Sequence, residues 1–153
     1  MLVNLRAQKH HKGFIANHGL SLAVAGILLL WLALYRQSDP QTHIGAFYGN
    51  ATADWLGTLV IVVATKYLYE IGSAESRSPH PRSRGAVVRF LVDHSLTIGL
   101  LITGAMWILV YARIDANGKA GQVIGNIVSE WTQILGLVVI TKYCGETGSK
   151  EGS

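Results

Sequence analysis

Apolar residues fall in four blocks along the chain: Gly19–Tyr35, Ala51–Thr65, Ser95–Ala112 and Ile127–Thr141. Each is near the ~17–25 residues that carry a helix across a bilayer. The runs LAVAGILLLWLAL and LGTLVIVVA have no polar face, which a helix at the surface of a soluble bundle would need. No charge falls inside the first or third block. The second and fourth contain Asp54 and Glu130, close to their N-terminal ends. The pattern predicts an all-α integral membrane protein with four transmembrane helices.

The polar positions repeat as well. GNATADW, from Gly49 to Trp55, returns as GNIVSEW, from Gly125 to Trp131. Shifted by 76 residues the chain aligns on itself without a gap, and about a third of the paired positions are identical. The pairs include Phe14 with Phe90, His18 with His94, Trp31 with Trp107, Tyr35 with Tyr111 and Asp39 with Asp115. Thr65, Lys66, Tyr67, Glu70, Gly72 and Ser73 meet Thr141, Lys142, Tyr143, Glu146, Gly148 and Ser149. Chance apolar similarity matches Leu with Val, not Trp, His, Asn, Lys and Glu. Each copy reads as a hairpin of two helices. An even number of crossings makes the copies enter from the same side, so they form tandem parallel repeats about a pseudo-two-fold axis along the membrane normal. The organisation expected is a basic tail (1–17), hairpin one (18–73), a Ser/Arg/Pro-rich linker (74–93), hairpin two (94–149) and a short end (150–153).

Gly45, Gly49, Ala53 and Gly57 lie four apart, as do Gly121, Gly125 and Ser129. On a helix each set is a stripe of small residues that lets two backbones approach closely in lipid. This extends helices two and four back to about Gly45 and Gly121. Helix two then runs to about Ile71, some ~40 Å at 1.5 Å per residue. Asn50 and Asp54 share a face there, as do Asn126 and Glu130. These four are candidates either for anchoring the returning helix or for an acidic pore mouth, with the carboxylates facing each other across the axis. Trp55, Trp131, Tyr35 and Tyr111 fit an interfacial aromatic belt.

Composition and charge sharpen this reading. Half of the 153 residues are hydrophobic and 14% are charged, against about a quarter charged in soluble domains. Lys and Arg concentrate in the N-terminal tail, the middle connection and the C-terminal end, with only Arg36, Arg113 and Lys119 in the other two loops. Both termini and the middle loop are therefore expected in the cytoplasm. The start of the chain is basic and then apolar, but ALYRQ lacks a small-x-small cleavage site, so the first block reads as a retained helix. The net charge of +4 suits anionic headgroups rather than nucleic acid. Asn50-Ala-Thr fits a glycosylation acceptor but lies close to the membrane. Cys144 is alone and carries no functional reading.

At the inner end, Lys66 and Lys142 can snorkel to headgroups. Glu70 and Glu146 stand one turn further on, where each helps its lysine, and Gly72 and Gly148 suit helix C-caps. These lysines and glutamates are candidate contacts for partners or lipids. His18 and His94 share one depth at the start of helices one and three. They are expected to pack at the interface, with no cofactor; the competing readings are a bis-histidine haem, or a divalent metal shared with Glu70 and Glu146. Catalysis has no motif behind it: no nucleophile set among polar groups and no phosphate-cradling glycine loop. The middles of the spans are uncharged, which disfavours an ion-coupled transporter. The expectation is a non-enzymatic accessory or oligomer-forming membrane subunit that contacts lipids and partner helices. A homo-oligomeric cation channel with an apolar gate at Ile61 and Leu137 is the alternative. A haem-binding electron carrier is the third.

Overall fold

The computed structural model describes residues 14–76 and 85–144, with side chains from His18 onward. Within them the chain is all-helical: α1 (Phe14–Gln37), α2 (His43–Tyr67), α3 (Ala86–Asp93), α4 (Ser95–Tyr111) and α5 (Lys119–Tyr143). Two helices are long and apolar enough to cross a membrane, α1 over His18–Gln37 and α5 over its whole length. A third qualifies if α3 and α4, bent by 65° at His94, form one broken span. α2 is as long as α5, at 25 residues, but Asn50, Asp54 and Lys66 lower its hydropathy. α4 alone has 17 residues.

The helices pair in the order α1–α2–α5–α4. α2 and α5 occupy the middle and run parallel, because their first turns lie together and so do their last. Asp39 and Asp115 start the two loops that lead into them. The Thr42 hydroxyl caps α2 by accepting from Gly45 N at 3.1 Å. Gly45 and Gly121 each close over the preceding loop, where a Cβ would strike the carbonyl of Asp39 or Asp115. The core lies between α2, α4 and α5. Ala53, Leu96, Leu100, Ile127, Trp131 and Val138 are buried there. Outside it, α1 leaves Leu20, Leu22, Leu29, Leu30 and Leu32 exposed, and α4 leaves Leu101, Ile102, Met106, Ile108, Leu109 and Val110 exposed.

Three expectations change. α2 ends at Tyr67, with Leu68 as C-cap, and not at Ile71. Gly72 is four residues beyond that cap, at φ +81° in a turn, a conformation that costs little only for glycine. The expected linker contains α3, whose Val87, Val88, Phe90 and Leu91 are exposed. The bend between α3 and α4 has a definite cause. Leu96 N donates to Tyr69 O instead of closing a helical bond to Val92, and Ile71 N donates to Asp93 O. The strap 69–71 is thus bonded into the helix break.

The aromatic residues also depart from a simple belt. Trp131 is only 5% exposed; its Nε1 donates to Thr103 Oγ1 at 2.8 Å and its ring meets Trp107 edge-on. Tyr35 is buried, lies against Gly49, and donates from its hydroxyl to Lys119 O at 2.7 Å. The Lys119 ammonium in turn donates to the carbonyls of Arg36 and Ser38. These are the orphan acceptors at the end of α1, where a cation is also favoured by the helix dipole. The bonds form a clasp between the hairpins at the loop end. Replacing Lys119 with Met should lower thermal stability in detergent by about 1–2 kcal/mol, and Tyr35→Phe by about 1 kcal/mol, since each removes hydrogen bonds with a part-buried partner. Melts of the purified variants followed by circular dichroism test this.

Candidate functional site

The most constrained polar group among the described residues is Glu70, which is 3% exposed. It stands on the strap beyond α2, held by Ser76: Glu70 N donates to Ser76 Oγ at 2.9 Å, and Ser76 Oγ donates to Glu70 O at 3.2 Å. Its Oε1 accepts from His94 Nδ1 at 2.7 Å and from Lys142 Nζ at 3.0 Å. An ionised carboxylate only accepts, which fixes the proton of His94 on Nδ1. Oε2 and the Thr97 hydroxyl are both buried without a well-formed hydrogen bond. They are close enough for the hydroxyl to favour the charged carboxylate. Burial pushes the Glu70 carboxyl up, but the Thr97, His94 and Lys142 contacts together outweigh it and hold it below the usual carboxylate range.

This changes the expected pairing. Glu70 is off the helix and does not help Lys66 across one turn. It crosses to Lys142 and His94 in the second repeat. Beside it, the Ser73 and Thr141 hydroxyls are 3.1 Å apart, a second link between hairpins. The Lys142 stem lies over Gly72, where a Cβ would sit 3.3 Å from Lys142 Cγ. In the first repeat, Lys66 Nζ donates to His18 Nδ1 at 3.1 Å. Glu146 lies outside the described residues.

His18 and His94 are therefore each engaged by a polar neighbour through Nδ1. Among the described residues no three His, Cys, Asp or Glu side chains gather around a common point. At Glu70 the Lys142 ammonium supplies the positive charge that a divalent metal would otherwise bring.

At the opposite end, Asn50 and Asn126 line one cavity of about 500 Å³ with Gln122, Tyr111 and the bare backbones of Gly49, Gly121 and Gly125. One turn deeper, the side chains of Glu130 and Asp54 interact across the α2–α5 contact. The small-residue stripe serves this end in a different way from close backbone crossing. Tyr35 covers Gly49, Tyr111 covers Gly125, and Ser129 is exposed. Only the lower stripe faces α5: Ala53 is fully buried in the core, and a Cβ on Gly57 would come 3.2 Å from Ile134 and 3.4 Å from Glu130.

The Glu70 cluster was half legible in the sequence. Lys142, Glu70 and His94 were each marked, but Thr97, Ser73, Ser76 and Thr141 were not marked as its neighbours. Repetition of T-K-Y-x-x-E-x-G-S was the available signal. It could not show that the glutamate of one copy serves the other copy. No family model, no curated protein and no solved structure matches the chain.

Glu70 is held below its ordinary value in the folded state, so it contributes stability that is fully present above the usual carboxylate range. That stability is lost as pH falls through the lowered folded value. Glu70→Ala should cost about 3–5 kcal/mol at neutral pH, because it leaves Lys142 and His94 facing a buried gap. Glu70→Gln keeps the shape, should cost about 1.5–3 kcal/mol, and should flatten the acid limb of the melting-temperature profile relative to wild type. Melting profiles from pH 3 to 8 (roughly, spanning the carboxylate range) measure both.

Proposed function

We propose that the chain is a non-enzymatic, four-span membrane protein that acts by assembly. Two parallel hairpins are clasped into one pseudo-two-fold unit, and its flanks bind partner membrane helices or further copies. The observation that carries this is the row α1–α2–α5–α4. Because α1 and α4 sit at its ends, they turn long apolar surfaces outward. At each end of the row a polar cluster links the hairpins, through Tyr35 and Lys119 at one end and Glu70, Lys142, Ser73 and Thr141 at the other. α2 counts as a span in this reading because it is sandwiched between α1 and α5, two helices long and apolar enough to cross, and shares their depth. Its Asn50 and Asp54 turn toward a cavity and a carboxyl partner rather than needing lipid. The Lys and Arg bias puts both termini and the Glu70 end in the cytoplasm.

Extraction in mild detergent from the native membrane, followed by mass measurement of the intact particle, tests the proposal. Fixed stoichiometry with other membrane subunits, or a defined ring of identical chains, is the expected result. A lone monodisperse chain at every detergent concentration would remove the assembly role.

A second reading, a cation channel, is favoured by one observation: the Asp54–Glu130 pair lies directly below the amide-lined cavity. In a ring of chains such pairs would concentrate cations at an outer mouth. Asp54→Asn should then reduce cation conductance of the reconstituted protein several-fold (roughly, the loss of one mouth charge per chain). Unchanged conductance, or none in wild type, discards this reading.

A further inference from the structure

Between α4 and α5 an apolar groove of about 210 Å³ is lined by Gly104, Ala105, Ile108, Val128, Trp131 and Leu135, among others. Gly104 and Ala105 occupy the places of Leu28 and Leu29 in the first repeat. The bare Gly104 makes room for the Trp131 ring, which lies along the groove wall, 3.1 Å from where a Cβ on Gly104 would be. The same two helices lead to the polar cavity. Ile108 lines the groove, and Tyr111, one turn further along α4, lines the cavity. On α5 the step from Gly125 and Asn126 to Val128 is equally short.

We propose that this pair of cavities binds one membrane lipid with an uncharged, hydroxyl-rich headgroup, such as a glycosyl diacylglycerol. Its sugar sits between Asn50, Gln122 and Asn126, and one acyl chain runs down the α4–α5 groove. The proposal rests on the membrane reading above. The headgroup class follows from the lining. Carboxamides both donate and accept, as hydroxyls do, so three amides match a polyol face. No charged side chain lines the cavity. A phosphate headgroup calls for an Arg or Lys, and the one nearby ammonium, that of Lys119, is engaged by two carbonyls. The tail follows from proximity: the apolar groove begins one turn along α4 from the polar cavity, toward the middle of the helices.

The test uses the full chain in nanodiscs made with monoglucosyl diacylglycerol, phosphatidylethanolamine or phosphatidylglycerol, released into native mass spectrometry. Asn126→Ala removes a headgroup contact. Ala105→Leu puts a larger side chain into the groove lining at an exposed position, so folding is spared; a size-exclusion profile and melt confirm this for each variant. The expected result is one glucosyl lipid retained per wild-type chain, with retention falling about tenfold in each variant, the scale of one or two lost hydrogen bonds or a blocked acyl slot. Retention unaffected by both variants, or stronger for phosphatidylglycerol, overturns the proposal. Loss in Asn126→Ala alone, reproduced by competition with free glucose, would mean a soluble polyol and overturn the lipid. Release of the chain from membranes by alkaline carbonate would instead defeat the membrane reading, and is scored separately.

Discussion

A carboxylate that is 3% exposed has to find its counter-charge inside the protein. Glu70 finds it in Lys142 and His94, on the far repeat. The rest of the inner end follows from that demand. The chain must leave α2 at Tyr67, since a helix continued through Glu70 would keep the side chain on the α2 axis. It must turn sharply, which Gly72 permits. The strap between these points then takes hydrogen bonds from the α3–α4 break, so the 65° bend and the buried carboxylate are two results of one connection. Pulling the hairpins apart would strand a carboxylate and an ammonium together. That cost makes the linked pair, rather than each hairpin, the stable unit.

The outer end is joined by a cheaper device. There the orphan carbonyls of α1 receive the Lys119 ammonium, and Tyr35 reaches the Lys119 backbone across a glycine. Both clasps act on α2 and α5, which lie side by side in the middle of the row. With the middle fixed at both ends, α1 and α4 need only one neighbour each. Their outer surfaces are left for lipid or other helices, and in lipid such surfaces associate by packing and polar contacts rather than by apolar burial. An open row of this kind is what the proposed assembly role uses.

Helical content was legible because the apolar blocks are long and the glycine and aspartate signals at Asp39, Gly45, Asp115 and Gly121 mark where α2 and α5 begin. What the sequence concealed was direction in space. Lys66 and Glu70 stand four apart, the spacing of a helical ion pair, and nothing local says that the helix stops between them. Tertiary pairing of Glu70 overrode that spacing. Trp131 resembles its twin Trp55 in sequence, yet it is buried because Gly104 and Thr103 receive it, while the first repeat has Leu28 and Ile27 at those places. A small-residue stripe likewise predicts close contact but not its partner; here tyrosine rings and loop carbonyls take most of the space that a second helix was expected to fill.

The same divergence separates the two copies in structure. The repeated positions, Tyr35 and Tyr111, Gly49 and Gly125, Lys66 and Lys142, sit where the hairpins meet their loops and each other. Unmatched positions make the two copies unequal. Lys119 replaces His43 and makes one clasp one-sided, while Gly104 replaces Leu28 and receives the Trp131 ring. In the lipid reading proposed above, the amides between α2 and α5 meet the head and the α4–α5 groove meets the tail, so one occupant would draw on residues of both repeats.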